Sequence, residues 1–444
     1  MATEAAIKPW YRPVATSYFL YNASIVDVES GKTLPRVTVT VEHGKITSIT
    51  PAKATLEAKP GFTTVDCSGK FICPGLIDSH VHLIAVPGFD NLAAAFGNPE
   101  SVTLLRQPYV CAQMLHRGFT SIRDCGGAHA AIKEAIEDGV FPGPRLFIAG
   151  HALSQSGGHA DFRGKHDHSA CCGGHATGIG RVCNGVPQCM QAVREEIRCG
   201  SDFIKIMGSG GVSSPTDKIT HLQFTPEEIR AMVECANNAG TYVTAHAYTS
   251  KAIRHCIDNG VKGIEHGNFL DAETAAIMVE KGCYLTPTLI TYNQMASPKW
   301  KGYLPPSETA KNLEVLDAGL KALKIASDAG VTICFGTDLL GPLGAAQTHE
   351  FNLRSQVLSP LEVLRSATLN PARMFGREES LGQIKEGFEA DLLILGANPL
   401  DDVTILDKPE QYVKAVMKEG RVYKSRWAEI AEDSMAVRLR PAAL

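Results

Sequence analysis

The feature that most constrains this chain is a serial alternation of short apolar runs with stretches of helical period through its middle three hundred or so residues. The runs are Gly75 to His82, Phe119 to Arg123, Arg145 to Ala149, Phe203 to Met207, Tyr242 to His246, Gly263 to His266, Tyr284 to Leu289 and Val331 to Thr337. Alternation of this kind is the signature of βα units on a parallel sheet. Gly118, Gly200, Gly240, Gly260, Gly282 and Gly330 each follow a helical stretch where a left-handed cap residue is wanted. Thr225-Pro226-Glu227-Glu228 places an N-cap, an N1 proline and first-turn acids in order. Eight units in series predict a closed (β/α)8 TIM barrel rather than an open sheet.

Outside this region the texture alternates in twos. Ser17 to Val26 and Val37 to Ile49 read as antiparallel strands, the latter folded at Glu42-His43-Gly44-Lys45. Ala390 to Leu395, Val413 to Met417 and Arg421 to Lys424, with a turn at Lys418-Glu419-Gly420, repeat the pattern near the other end, so the two ends are expected to share a sheet. The segment from His151 to Gly185, rich in Gly, His, Asp and Cys without a period, is expected to be a long loop over the barrel mouth.

At the expected strand ends stand residues that bind metals. Asp78-Ser79-His80-Val81-His82 puts two imidazoles on one face of a strand. Thr244-Ala245-His246, Ile264-Glu265-His266 and Gly336-Thr337-Asp338 add ligand types at three further ends, and a barrel gathers all of these at one mouth. One such histidine is more often a buried polar group satisfied by backbone; five ligand types at matching ends argue for a site. Lys205 sits inside the apolar run Phe203 to Met207. A buried ammonium needs a partner or neutralisation, so Lys205 is either ion-paired or modified to carry an anionic group.

The order HxH, Lys, His, His, Asp on successive strand ends resembles the amidohydrolase superfamily, as do Pro74-Gly75-Leu76-Ile77-Asp78, Ala367-Thr368-Leu369-Asn370-Pro371-Ala372 and Gly387-Phe388-Glu389-Ala390-Asp391-Leu392. Ser154-Gln155-Ser156-Gly157-Gly158-His159, Lys205-Ile206-Met207-Gly208-Ser209-Gly210-Gly211-Val212 and Ala245-His246-Ala247-Tyr248 resemble the imidazolonepropionase-like branch of Xaa-Pro dipeptidases and ochratoxinase. The resemblance covers essentially the whole chain. With it the expected architecture is a barrel over 74–376 and a small β-sandwich built from 1–73 and 377–444.

The resemblance further implies two divalent metal ions, zinc by first choice, although manganese and cobalt accept the same ligands. His80, His82 and Asp338 would hold one, His246 and His266 the other, with carboxylated Lys205 as the bridge. Asp338 would be the proton acceptor, Tyr248 would donate to the substrate carbonyl, and His159 would bind a substrate carboxylate. The expected reaction is hydrolysis of an amide to an amino acid with a free carboxylate, as in Xaa-Pro dipeptides, N-acyl amino acids and ochratoxin A. Cyclic-amide hydrolysis or deamination, and a metal-free scaffold, are the alternatives; retention of every ligand type argues against the scaffold.

A formal charge of −4 gives no basic stripe for nucleic acid and no polybasic membrane signal, and no apolar run reaches a membrane span. The expected partner is a small molecule, and the resemblance implies a homo-oligomer. Early charge and proline in Met1 to Trp10 do not read as a secretory signal, and 13 scattered cysteines read as reduced thiols, so a cytoplasmic protein is expected. His166-Asp167-His168, Cys171-Cys172 and His175 lack the paired spacing of a structural zinc site.

Overall fold

The computed structural model describes residues 10–11, 14–52, 59–96, 98–164, 166–167, 176–214, 216–433 and 438–439. In chain order its principal strands are β1 (Ser17–Asp27), β2 (Lys32–Glu42), β3 (Lys45–Pro51), β4 (Phe62–Asp66), β5 (Phe71–Pro74), β6 (Leu76–Val81), β7 (Phe119–Asp124), β8 (Arg145–Ile148), β9 (Ala152–Ser154), β10 (Gly180–Val182), β11 (Ile204–Met207), β12 (Val243–Thr249), β13 (Gly263–Phe269), β14 (Tyr284–Thr286), β15 (Thr332–Ile333), β16 (Leu392–Leu395), β17 (Val413–Lys418) and β18 (Arg421–Ser425).

The two ends of the chain do share a sheet, in the order β18-β17-β16-β5-β1-β2-β3 with β4 also on β1. Its buried face follows the period-two pattern, with one instructive break. Tyr18 and Leu20 are buried, and then Ala23 and Ile25. The parity changes because Asn22, at φ 59°, absorbs an extra residue where the register with β2 shifts. His43 (φ 53°) and Gly44 (φ 80°) form the turn between β2 and β3, the two positive φ values that a tight hairpin twist demands.

All eight expected parallel strands form, although the eighth, expected over Val331 to Thr337, is strand only at Thr332–Ile333. β6, β7 and β8 make one parallel sheet, and β10-β9-β11-β12-β13-β14-β15 make a second. Backbone hydrogen bonds bridge the two at both seams: Asp202 N to the Ile148 carbonyl at 2.7 Å on one side, Ser79 N to the Phe335 carbonyl at 2.7 Å and Asp338 N to the His80 carbonyl at 2.8 Å on the other. The six helix-stop glycines all have left-handed φ, from 61° at Gly282 to 103° at Gly118. Thr225 and Glu228 close a reciprocal capping box. Among the described residues no helix is long and apolar enough to cross a membrane, and the described cysteines are free thiols, buried except for Cys199.

Two expectations need correction. The segment 151–185 is not wholly loop: β9 pairs with β11, and β10 pairs with β9, with Ala176–Thr177 hairpinned onto that edge. Strands of two or three residues are too short to carry a period, and the open edge of β11 recruits them. The seventh strand ends at Thr286 rather than Leu289, because Pro287 has no N–H to donate and the helix Leu289–Ala296 follows.

A buried ion pair fastens the last two units. Arg354 donates to Glu350 at 2.7 Å, to the Pro287 carbonyl at 2.7 Å, to the Cys334 carbonyl at 3.1 Å and to Ser366 Oγ at 3.2 Å, while Glu350 accepts from Ile290 N at 2.7 Å. Both side chains are fully buried. Arg354→Met therefore strands a carboxylate and two carbonyls, and the expected loss in a urea melt is about 3–5 kcal/mol. Glu350→Gln combined with Arg354→Met should lose less, and a single variant within about 1 kcal/mol of the parent would contradict this role.

Candidate active site

Strands β6, β11, β12 and β13, with the segments that follow β9 and β15, bring His80, His82, His159, Lys205, His246, Tyr248, His266 and Asp338 to the wall of one cavity. All eight residues singled out from the sequence are there. On β12, Thr244, His246 and Tyr248 have the same parity: Thr244 Oγ1 donates to Glu265, and the other two line the cavity.

On β13 parity alone would fail. Glu265 points inward to His80, so His266 next to it should point away. Its φ of 74°, followed by Gly267 at 66°, turns the imidazole back toward the cavity. Asp338 is likewise held at φ 51°. A left-handed histidine is uncommon and costs of order 1–3 kcal/mol, so the surroundings must enforce it.

Each imidazole spends one nitrogen on a fixed partner. His80 Nδ1 lies 2.8 Å from Glu265 Oε2, and His82 Nδ1 donates to the Gly126 carbonyl at 2.8 Å. His266 Nδ1 lies 2.8 Å from Thr288 Oγ1 and 2.9 Å from the Tyr292 hydroxyl. His246 uses Nε2, donating to the Gly210 carbonyl at 3.3 Å. Nitrogens left over from these bonds gather near Asp338: its Oδ1 is 3.6 Å from His80 Nε2 and 3.3 Å from His82 Nε2, and single ligand atoms of His80, His266 and Asp338 lie within 4.8 Å of one another and define a common centre. This is how metal-binding imidazoles are oriented.

Electrostatics keep lone pairs available on three of these imidazoles, whereas at His82 burial is outweighed by the hydrogen bond and charge of Asp338, which hold it above its usual range. Burial, then the Lys205 charge, brings His80 down to about 4 despite Asp338 and Glu265. Burial and neighbouring imidazoles hold His246 and His266 well below the usual range. For Asp338, burial would raise the carboxyl, but His80, His82 and His266 outweigh it and hold it below the usual range. Lys205 is 1% exposed, and among the described residues its ammonium has no hydrogen bond or ion pair. Glu265 feels the lysine's charge, but among the described residues no carboxylate comes within ion-pair distance of it, so the ion-pair alternative lacks a contact. A buried lysine that lines one cavity with four histidines and an aspartate leaves a donor set short of a bridging anion, which is the fit expected if Lys205 carries a carboxylate when cations are bound.

His159 forms the wall above His246, ring centroids 4.2 Å apart and 25° from parallel. Its Nδ1 lies 2.9 Å from Ser214 Oγ and 3.6 Å from Asp217 Oδ2. Ser214 Oγ donates to Asp217, and Gln223 Nε2 does so at 3.0 Å. Burial raises the Asp217 carboxyl, but His159, Ser214 and Lys311 outweigh it and bring it to about 2. Lys311, on the helix Pro306–Ala329, donates to the Gly211, Ser214 and Asp217 carbonyls at 2.9, 3.0 and 3.1 Å. Gly211 must lack a side chain, because a Cβ there would strike the His159 ring.

Several residues escaped sequence reasoning. Glu265 and Arg123 were visible as charges inside apolar strands, the same signal that marked Lys205. Asp217, Ser214, Thr288 and Tyr292 act through partners distant in sequence and left no local signal. His166 and Asp167 are exposed, whereas His168, Cys171, Cys172 and His175 lie outside the described residues.

Residues 71–423 match the amidohydrolase family. An ochratoxinase of Aspergillus niger is 32% identical over 378 residues, covering 82% of this chain and 78% of its own. The crystal structure of a prolidase complexed with N-methylphosphonate-L-proline superposes with a TM-score of 0.88 at 40% identity, covering 93% of this chain and all of that one. That of a Xaa-Pro dipeptidase with methionine in its active site gives 0.83 at 27% identity, covering 92% of this chain and 100% of that one. With a matching family that spans most of the sequence and relatives alike over nearly their whole length, this chain belongs to the amidohydrolase family.

Proposed function

We propose that this protein hydrolyses an amide between an acyl group and an amino acid that keeps a free carboxylate, using two divalent cations, zinc by first choice. The observation that carries the proposal is the gathering of four imidazoles and one aspartate on one cavity wall with a buried lysine that makes no ion pair among the described residues. In this reading the two parallel sheets close as a (β/α)8 barrel over 74–376, and the terminal segments 1–73 and 377–444 form a β-sandwich beside it. His80, His82 and Asp338 would hold one cation and His246 and His266 the other, with carboxylated Lys205 as the ligand they would share. When bound, the cations acidify a water and polarise the scissile carbonyl.

The chain's own groups do the rest. Asp338, held ionised by its histidine neighbours, accepts the proton of the attacking water and returns it to the leaving amine. Tyr248, whose phenol burial pushes far above neutral pH, stays protonated and donates to the carbonyl oxygen as negative charge develops there. His159 faces the substrate carboxylate, fixed by Ser214 and Asp217 behind it. Phe162, Met295 and Leu340 on the same wall give the acyl group an apolar seat. Names of similar proteins, a prolidase, a Xaa-Pro dipeptidase and an ochratoxinase, support this substrate class.

Two outcomes test the proposal. Lys205→Ala should lose metal, measured by elemental analysis, together with about three orders of magnitude in turnover, while remaining folded. Lys205→Glu should recover some metal with little turnover, because the anion returns on a shorter arm. An unmodified Lys205 in the electron density of an active, metal-loaded enzyme would refute the bridge.

Across a panel of dipeptides, N-acyl amino acids, lactams and ochratoxin A, acids should be cleaved and their carboxamides resisted. His159→Ala should narrow that preference by roughly tenfold or more, the scale of one charge-assisted hydrogen bond. Equal cleavage of acids and carboxamides by the parent enzyme would remove the carboxylate from the proposal and His159 from its role.

A further inference from the structure

The Tyr248 phenol has one proton and a neighbour that competes for it. Its hydroxyl lies 2.9 Å from that of Tyr292, on the helix Leu289–Ala296, and both residues line the cavity. If Tyr248 donates to Tyr292, it has nothing left to offer a substrate oxygen. The direction of this one hydrogen bond decides whether Tyr248 can act.

The surroundings of Tyr292 decide it. Its hydroxyl is 2.9 Å from His266 Nδ1, and Thr288 Oγ1 donates to it at 3.4 Å. With His266 Nε2 turned to the common centre, Nδ1 carries the ring proton, shared with Thr288 Oγ1 at 2.8 Å, and offers Tyr292 no lone pair. The Tyr292 oxygen thus accepts on that side, and its own proton has Tyr248 as acceptor. Tyr248 then has no protein acceptor among the described residues for its proton, which is left to the cavity. His266, Tyr248 and Tyr292 are all buried, so bulk water does not compete with the chain.

We infer that Tyr292 is a positioning residue: it accepts from the His266 side, donates to Tyr248, and so aims the Tyr248 hydroxyl at the substrate carbonyl oxygen. The role of Tyr292 rests on the one proposed for Tyr248. No proton is transferred; the chain of donors only fixes orientation before reaction. Helix Leu289–Ala296 is held for this task by Glu350, which accepts from Ile290 N at 2.7 Å.

The test is a double-mutant cycle on the metal-loaded enzyme with a dipeptide substrate. Tyr248→Phe should lower kcat about 100-fold, the scale of one oxyanion donor. Tyr292→Phe should lower kcat about tenfold with KM within about twofold, and Tyr248→Phe/Tyr292→Phe should be no worse than Tyr248→Phe alone, because Tyr292 works only through Tyr248. A second readout uses an N-phosphonyl amino acid, whose tetrahedral anionic oxygen mimics the developing charge. Its affinity should fall about tenfold in Tyr292→Phe while affinity for the product amino acid, metal content and melting temperature hold. Multiplicative losses in the double variant would overturn the inference, as would parental kcat in Tyr292→Phe. Metal loss in Tyr292→Phe would place its role at His266 instead. Parental kcat in Tyr248→Phe would remove the oxyanion role itself, whereas activity of the parent on none of the panel would refute the proposed reaction and leave the phosphonate affinities to judge Tyr292.

Discussion

The centre of this structure is held by an ion pair with no exposure to solvent. Arg123 donates to Glu265 at 2.6 Å, to the Ser79 carbonyl at 2.6 Å and to the Tyr242 hydroxyl at 3.3 Å, and its guanidinium lies over the Phe203 ring at 4.9 Å. Glu265 uses its other oxygen on His80 and accepts from Thr244 as well. Two side chains thus tie together β6, β7, β12 and β13. Desolvating both charges is expensive, and what offsets it is the full set of hydrogen bonds on each. Burial works against the Glu265 carboxylate, but Arg123 and His80 outweigh it and hold it well below the usual range. The orientation of His80, and through it the meeting point of the other ligands, follows from this pair.

Around that floor the cavity wall is built differently. Its loop from Gly211 to Asp217 is anchored by three carbonyls on a single ammonium, Lys311, and by hydrogen bonds through Ser214 to His159. Strand-borne ion pairs set the chemistry, and loop-borne hydrogen bonds set what faces the substrate. A change in the wall need not disturb the floor, which suits a family whose members include both a prolidase and an ochratoxinase.

Much of this was legible in the sequence because it depends on period and punctuation. The glycines after helices, the Thr225 capping box and the His43-Gly44 turn are local signals with local causes, and all recur in the structure. The cavity-lining histidines His80, His82, His246 and His266 and Asp338 were legible because each is a polar residue at the end of an apolar run, and Lys205 because it is a charge inside one. Illegible were contacts closed by the fold itself: Asp217 behind His159, Tyr292 beside His266, and the two-to-three-residue strands of the segment 151–185. Parity failed at His266 for a related reason. Strand alternation predicts a direction only while φ stays extended, and nothing in Ile264-Glu265-His266 announces that it does not.

That left-handed histidine has an evolutionary consequence. Judged by backbone fit alone, residue 266 should be glycine or asparagine, and a chain selected only for heat resistance would drift there. A histidine held at φ 74° draws on the fold's margin of stability at one identifiable peptide unit, a cost that the proposed role of its side chain would account for. When turnover is no longer selected, this is where the sequence should first relax, with no core residue yet disturbed.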